Sequence, residues 1–415
     1  MSRAAQPEEN TQAGISRRQL LKAAAAGAAA GALAPLGGLA RAAGPVFGSD
    51  LFSVTNMPAD PFTWGDNRHA GVEALLDLLG ARGYKFHRSA TAGARSGPGG
   101  MIARGDVVLV KVNAQWKYRG ATNSDLVRGI VQAVLDHPDG FAGEVVLVEN
   151  GQGRGSLRCD TSAAYDGDGS VQANANDPRH SFTWLVYGCF RDPRVSQFLL
   201  DPIRARFIAD DDHAANGYRR LGAVSYPCFT TRGGNRVELR RGIWKNGAFR
   251  GNLKLLNVPV LKDHGGSEFT GAVKHCYGLL SMADGQLMPR HYGALGLTAA
   301  EMYAIVRTPA LTILDATWVS HLAITGYPAS ATRRCDRLLA GQDPVALDFV
   351  AARDILYPID GNPRHHPSAP AVRAWLTAAR DRINALGGLY APASGILQGR
   401  VTLDPARMRL HRAQL

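Results

Sequence analysis

The chain is punctuated by short runs that are apolar at nearly every position. "DVVLVKVN" (106–113), "EVVLVEN" (144–150), "KLLNVPVLKD" (254–263) and "ALTILDA" (310–316) all read this way, as expected of strands buried on both faces of a parallel sheet. Between them the period changes. "RHAGVEALLDLLGARG" (68–83) repeats apolar residues at helical spacing through Val72, Leu75, Leu76 and Leu79, and Gly80 and Gly83 stop it. In "TNSDLVRGIVQAVLDHPDG" (122–140), Thr122 or Ser124 can cap a helix whose apolar face is Leu126, Ile130, Val131 and Val134. Strand, helix, strand makes one βαβ unit and predicts a parallel sheet. The same alternation returns later with a helix through "TGAVKHCYGLL" (270–280), a short strand "DRLLAG" (336–341) and a helix through "DPVALDFVAARDIL" (343–356). From about 151 to 251 the composition shifts to Gly, Asp, Asn and Arg, which predicts a long irregular insertion with a helical patch at "SQFLLDPIRARFI" (196–208) and a hairpin around "RGGNRVELRRGIW" (232–244). The expected fold class is α/β: a mostly parallel open sheet flanked by helices, interrupted by that insertion.

The first residues set the compartment. "SRRQLLK" (16–22) places Arg17 and Arg18 ahead of an Ala/Gly-rich stretch that ends in "ARAAG", with small residues at Ala40 and Ala42. This resembles a twin-arginine (Tat) export signal cleaved after Ala42, and it implies the Tat machinery as a partner and a periplasmic or other extracytoplasmic destination. Pro35 and the many alanines make the stretch too mildly apolar for a spanning helix, so no stable membrane span is expected after cleavage. Residues 43–415 are then the mature chain, about 370 residues, enough for a single α/β domain. The formal charge is +12, of which the signal carries +3, from five basic residues against Glu8 and Glu9. Outside the cytoplasm that excess meets anionic lipids, polymers or metabolites, and no nucleic-acid motif accompanies it. The five cysteines, Cys159, Cys189, Cys228, Cys276 and Cys335, are scattered; they match neither a zinc pattern nor a ferredoxin run, so no iron-sulfur cluster is expected.

Candidate chemistry appears where the apolar runs end. Lys111 and Asn113 close the first, Glu149 and Asn150 the second, Lys262 and His264 the third, Asp315 the fourth, and Asp343 follows the fifth. In open parallel sheets ligands bind beyond the carboxyl ends of the strands, so these residues should converge on one edge. In "TGAVKHCYG", Gly271, Lys274 or His275, and Gly278 fall at three- and four-residue spacing. On a helix that strips one face of side chains on both sides of a cation. A ligand could approach there, with the helix N-terminus near Ser267 or Thr270 favouring an anion. The same glycines would also serve tight helix-on-sheet packing, with the lysines reaching to solvent.

"DVVLVKVN", "LLNVPVLKDH", "TGAVKHCYGL" and "LLAGQDPVALDFVAARDIL" resemble, in order and spacing, the successive blocks of the family called domain of unknown function 362, over a core of about 100–360. Members typically show Lys-Pro-Asn where this chain has Lys111-Val112-Asn113, and Lys-Asn where it has Lys274-His275. Some carry a ferredoxin-like segment that is missing here. The resemblance implies a fold and a site but names no reaction.

Other signals fail on inspection. "ENGQGRGS" lacks the helix that a dinucleotide-binding turn opens. "DGDGSVQANAND" puts Asp166, Asp168, Ser170 and Asp177 near calcium-loop positions, but Val171 stands where the glycine is required. His291 in "MPRHYG" is a candidate lid residue. Two functions follow. One is an enzyme acting on a carboxylate- or phosphate-bearing small molecule, with Lys111, Asn113, Lys262, Lys274, Gly271 and Gly278 binding it and His264, His275 or Asp315 moving protons. The other is an accessory protein holding a metal or cofactor through His264, His275, Asp315 and Asp343.

Overall fold

In the computed structural model, residues 49–151, 157, 172–285, 293–389 and 399–415 are described. The export signal, Cys159, His291 and the calcium-loop positions Asp166, Asp168 and Ser170 lie outside them. The labelled elements are β1 (Ser49–Thr55), α1 (Ala70–Ala81), β2 (Val107–Val112), α2 (Ser124–Leu135), β3 (Glu144–Glu149) and β4 (Val195–Leu199). There follow β5 (Gly217–Leu221), β6 (Val224–Thr230), β7 (Arg236–Glu238), β8 (Gly242–Lys245), β9 (Ala248–Arg250), β10 (Leu253–Val258), β11 (Val260–His264) and β12 (Glu268–Thr270). The rest are α3 (Ala272–His275), α4 (Leu295–Glu301), β13 (Leu311–Ser320), β14 (Thr332–Gly341), α5 (Pro344–Ala351), α6 (Pro370–Ala385) and β15 (Met408–Gln414).

The main sheet runs β15-β1-β14-β13-β10-β2-β3-β4, with β11 and β12 attached beside β13. β13, β10, β2, β3 and β4 are mutually parallel, whereas β14 is antiparallel to both of its neighbours. The apolar runs are buried on both sides because each sheet face carries its own layer. Val108 and Val110 of β2, Leu256 of β10 and Ile313 of β13 pack with Leu75 and Leu79 of α1 and Leu126, Ile130 and Val134 of α2. Leu109, Leu255 and Leu314 point the other way, onto Val273, Leu295, Tyr303, Val345 and Leu376. At about 1.5–3 kcal/mol per fully buried large aliphatic side chain, these two layers supply most of the driving force. Residues 46–415 form one compact unit.

Two expectations change. The stretch from Ser196 is not helical: β4 pairs in parallel with β3 and finishes the sheet edge, and a single 3-10 turn at Asp201–Ile203 follows it. Pro202 sits within that turn, and the sheet's need for a partner overrides the weak helical pattern. Nor is the insertion wholly irregular, since β5 to β9 form a five-stranded antiparallel meander that contains the expected hairpin, β7 with β8.

Strand order turns around between β2 and β10. The chain leaves β2 toward β3 and β4 on one side, and leaves β10 toward β13 and β14 on the other. Such a switch point opens a crevice at the carboxyl ends of the two central strands.

Candidate functional site at the carboxyl edge

The segment after β2 crosses the switch point and is stitched down there. The Thr122 hydroxyl donates to Val258 O of β10 at 2.8 Å and accepts from Asn113 N at 2.8 Å. Next to it, Asn123 caps α2 by accepting from Leu126 N at 3.0 Å. Asp315 takes the Asn123 N–H at 2.8 Å and the Thr317 N–H at 2.9 Å. Alternation along β13 places Asp315 with Leu311 and Ile313, on the α2 face of the sheet. Its carboxyl is fully buried and pushed up from the usual range by that burial.

Lys111 points to the opposite face, at the centre of a polar chain. Its ammonium lies 2.8 Å from Glu149 Oε1, donates to Val112 O at 2.8 Å and meets His275 Nε2 at 3.1 Å. Three hydrogens thus find three acceptors. Because His275 Nε2 accepts from Lys111, Nδ1 carries the ring proton and donates to Asn257 Oδ1 at 2.7 Å. Asn257 Nδ2 then reaches Tyr303 at 3.4 Å, and the Tyr303 hydroxyl donates to Ala272 O at 2.7 Å. Glu149 also accepts the backbone N–H groups of Ala114 and Asn150, at 2.7 and 2.8 Å. Burial lowers the Lys111 pKa and raises that of Glu149, and each charge opposes the shift on the other. His275 is held well below its ordinary value, first by burial and then by the Lys111 charge, so it is neutral.

Lys262, on β11, donates to Gly120 O at 2.5 Å and to Asn113 Oδ1 at 3.4 Å, two acceptors for three hydrogens. Its pKa is lowered to about 7, chiefly by burial; Glu149 opposes this, and repulsion from Lys274 and Lys111 adds to it. Lys111 and Lys274 are therefore both within electrostatic reach of Lys262. Lys274 is also buried, lies over the Tyr277 ring at 5.5 Å and is lowered to about 7 by desolvation. Burial likewise raises the neighbouring Cys276 thiol to about 12.

The helix expected across 270–280 is shorter than its pattern. α3 spans four residues, a 3-10 turn (Cys276–Leu279) continues it, and Ser267 and Thr270 belong to a turn and to β12. Gly271 is therefore the N-cap, and a Cβ there would strike the Asp348 carboxylate. That carboxylate takes the Ala272 and Val273 N–H groups at 2.6 and 2.9 Å. Burial raises its pKa to about 7. A Cβ at Gly278 would overlap the Lys111 ammonium and Glu149 Oε1. Each glycine makes room for one of the protein's own buried charges.

Of the remaining candidates, His264 ends β11 and accepts the Gly266 and Ser267 N–H groups through Nδ1, at 3.2 and 3.4 Å. Asp343 caps α5, accepting from Val345 N and Ala346 N at 2.9 Å each. The edge thus gathers Lys111, Asn113, Lys262, Lys274, His275 and Gly278, while Asp315 serves the far face and Gly271 faces Asp348. Among the described residues no three of His, Cys, Asp and Glu are placed to hold a metal ion, and Cys189, Cys228, Cys276 and Cys335 are free thiols.

The fold and this edge define an α/β protein with a polar, lysine-centred carboxyl edge. Residues 247–353, which carry β9 to β14 and α3 to α5, match the family model described as Domain of unknown function (DUF362). Residues 14–34 match the TAT (twin-arginine translocation) pathway signal sequence. The protein is exported by the Tat pathway, and no helix among the described residues is long and apolar enough to cross a membrane. No curated protein and no solved structure matches the chain.

Proposed function

We propose that the carboxyl edge at the β2–β10 switch point binds a carboxylate- or phosphate-bearing small molecule, and that the exported protein is an enzyme moving a proton on it. The observation that carries this reading is Lys262: buried at the switch point, drawn to a pKa of about 7 and, among the described residues, left with one hydrogen beyond its two acceptors. Lys274 shares that pKa. An amine near pKa 7 presents both protonation states at neutral pH, as general acid–base catalysis needs. A bound anion would draw both lysines toward the charged form and hold them there. Lys111, its hydrogens spent, and His275 form the rigid wall behind them, and Asn113 orients Lys262. His264 and Asp315 hold the turn and the helix that frame the crevice.

Calorimetric titration of the mature protein with small dicarboxylates and phosphate monoesters tests the reading. Binding of dicarboxylates should be lost, and that of phosphate monoesters weakened, in both Lys262→Met and Lys274→Met, with thermal unfolding unchanged or raised. Absence of binding in the parent, or equal binding in the variants, overturns it.

A further inference from the structure

A second cationic cleft lies at the other end of the sheet. α5 and its π-helical continuation (Ala352–Leu356) cover β14, but the outer strands β1 and β15 run beyond the helix and leave a cleft of about 510 Å³. The register brings the lining together: Ser53 of β1 lies opposite Leu339 of β14 on one side and Arg412 of β15 on the other. Arg337, two residues before Leu339, shares that face, and Arg353 and Thr55 close the ring. Three guanidiniums therefore meet around one apolar floor.

Their partners do not balance them. Arg353 grips the Asp354 carboxylate with two bonds, at 2.5 and 2.8 Å. Arg337 donates from Nη1 to the backbone Asp354 O at 3.1 Å, but its Nε is buried and has no acceptor among the described residues. Arg412 is exposed over the cleft. Thr55 donates its hydroxyl to Ala413 O at 3.5 Å, and Ser53 lines the same cleft. A buried guanidinium N–H without an acceptor is costly, and the planar fork of exposed Arg412 beside it can take two oxygens of a tetrahedral phosphate.

From this we infer that the β1–β14–β15 cleft is a phosphate-binding site, separate from the lysine edge, which recognises a phosphate ester through Arg337, Arg412 and Ser53, with Arg353 sharing charge between the ester and Asp354. The ester is either a small soluble molecule or an anionic lipid headgroup, both of which an exported protein meets. Two arms separate these sources: calorimetry with glycerol 3-phosphate, and sedimentation with vesicles of phosphatidylglycerol in phosphatidylcholine. Arg412 is exposed, so Arg412→Gln leaves the fold intact, and Arg337→Lys keeps the charge while losing the fork. Both arms are run in the Lys274→Met background, where the lysine edge no longer takes the ester, and each added Arg variant should bind about tenfold more weakly in whichever arm that background binds. Loss in the soluble arm assigns a free ester, and loss confined to vesicles assigns a headgroup. If the Lys274→Met protein binds neither probe, or adding Arg412→Gln and Arg337→Lys leaves its binding unchanged in both arms, the inference is wrong.

Discussion

The two edges of the central sheet handle buried charge in opposite ways. At the amino edge Glu144 is buried against neutral donors: Ser196 Oγ at 2.6 Å, Thr231 Oγ1 at 2.5 Å, Asn235 Nδ2 at 2.7 Å and Gly233 N at 3.0 Å. These bonds tie the meander to the sheet, and nearby Lys254 stands 3.8 Å from Asp106. At the carboxyl edge the buried groups include three amines, two of which, Lys111 and Lys274, repel Lys262, with Glu149 set against Lys111. A carboxylate saturated by neutral donors fastens two parts of a fold. Amines whose charge is disfavoured by burial and by mutual repulsion store a response to an incoming anion.

The contrast can be broken most sharply at the two glutamates. Glu149→Gln leaves the Lys111 ammonium buried opposite a neutral amide, and a loss of about 3–5 kcal/mol is expected in chemical denaturation. Adding Lys111→Met should restore most of it. Glu144→Gln should cost less, on the order of 1–3 kcal/mol, as one acceptor oxygen becomes a donor against a ring of donors. Deleting Lys254 should not rescue it. Equal losses, both rescued or neither, would mean that the edges do not differ in kind. Gly278→Ala comes next, at about 1–3 kcal/mol, because its Cβ must displace the Lys111–Glu149 pair.

The pH dependence is the gentlest probe near neutrality. Lys262 and Lys274 have folded pKa values of about 7 against 10.5 for the free side chain, so between those values the unfolded chain binds more protons. Their contribution to stability should therefore rise with pH from about 7 to about 10.5, and below pH 7 the full penalty applies. Lys262→Met should flatten that slope in urea denaturation followed across pH; an unchanged slope would show that Lys262 does not titrate there.

The parallel core was legible because "DVVLVKVN" and "EVVLVEN" have no polar face, and the strand-end rule put Lys111, Asn113 and Lys262 at one edge. Which face a strand-end residue serves was harder to read. Asp315 follows Ile313 by two positions and so faces α2, a parity visible in the sequence once β13 has a register. The partners of the lysines were hidden differently. Glu149 closes its run beside Asn150, Asn257 is a lone polar residue in an apolar run, and Asp348 is a lone acid in "PVALDFVA"; each marks a buried charge or amide seeking a partner, but sequence spacing names none across 76 residues, as between Asp348 and Ala272. The two glycines did mark close approaches. What approaches them in the folded chain is Asp348 and the Lys111–Glu149 pair, a long-range packing result that helical spacing cannot supply.

The central claim is that burial at the switch point holds two lysines near neutrality, ready for an anion. Nuclear magnetic resonance of the mature protein with 15N-labelled lysine side chains, titrated from pH 5 to 11, tests it most directly. Two amine signals should titrate near pH 7, one vanishing in Lys262→Met and the other in Lys274→Met. If every lysine titrates near its ordinary value of about 10.4, the carboxyl edge stores no such response and the account fails.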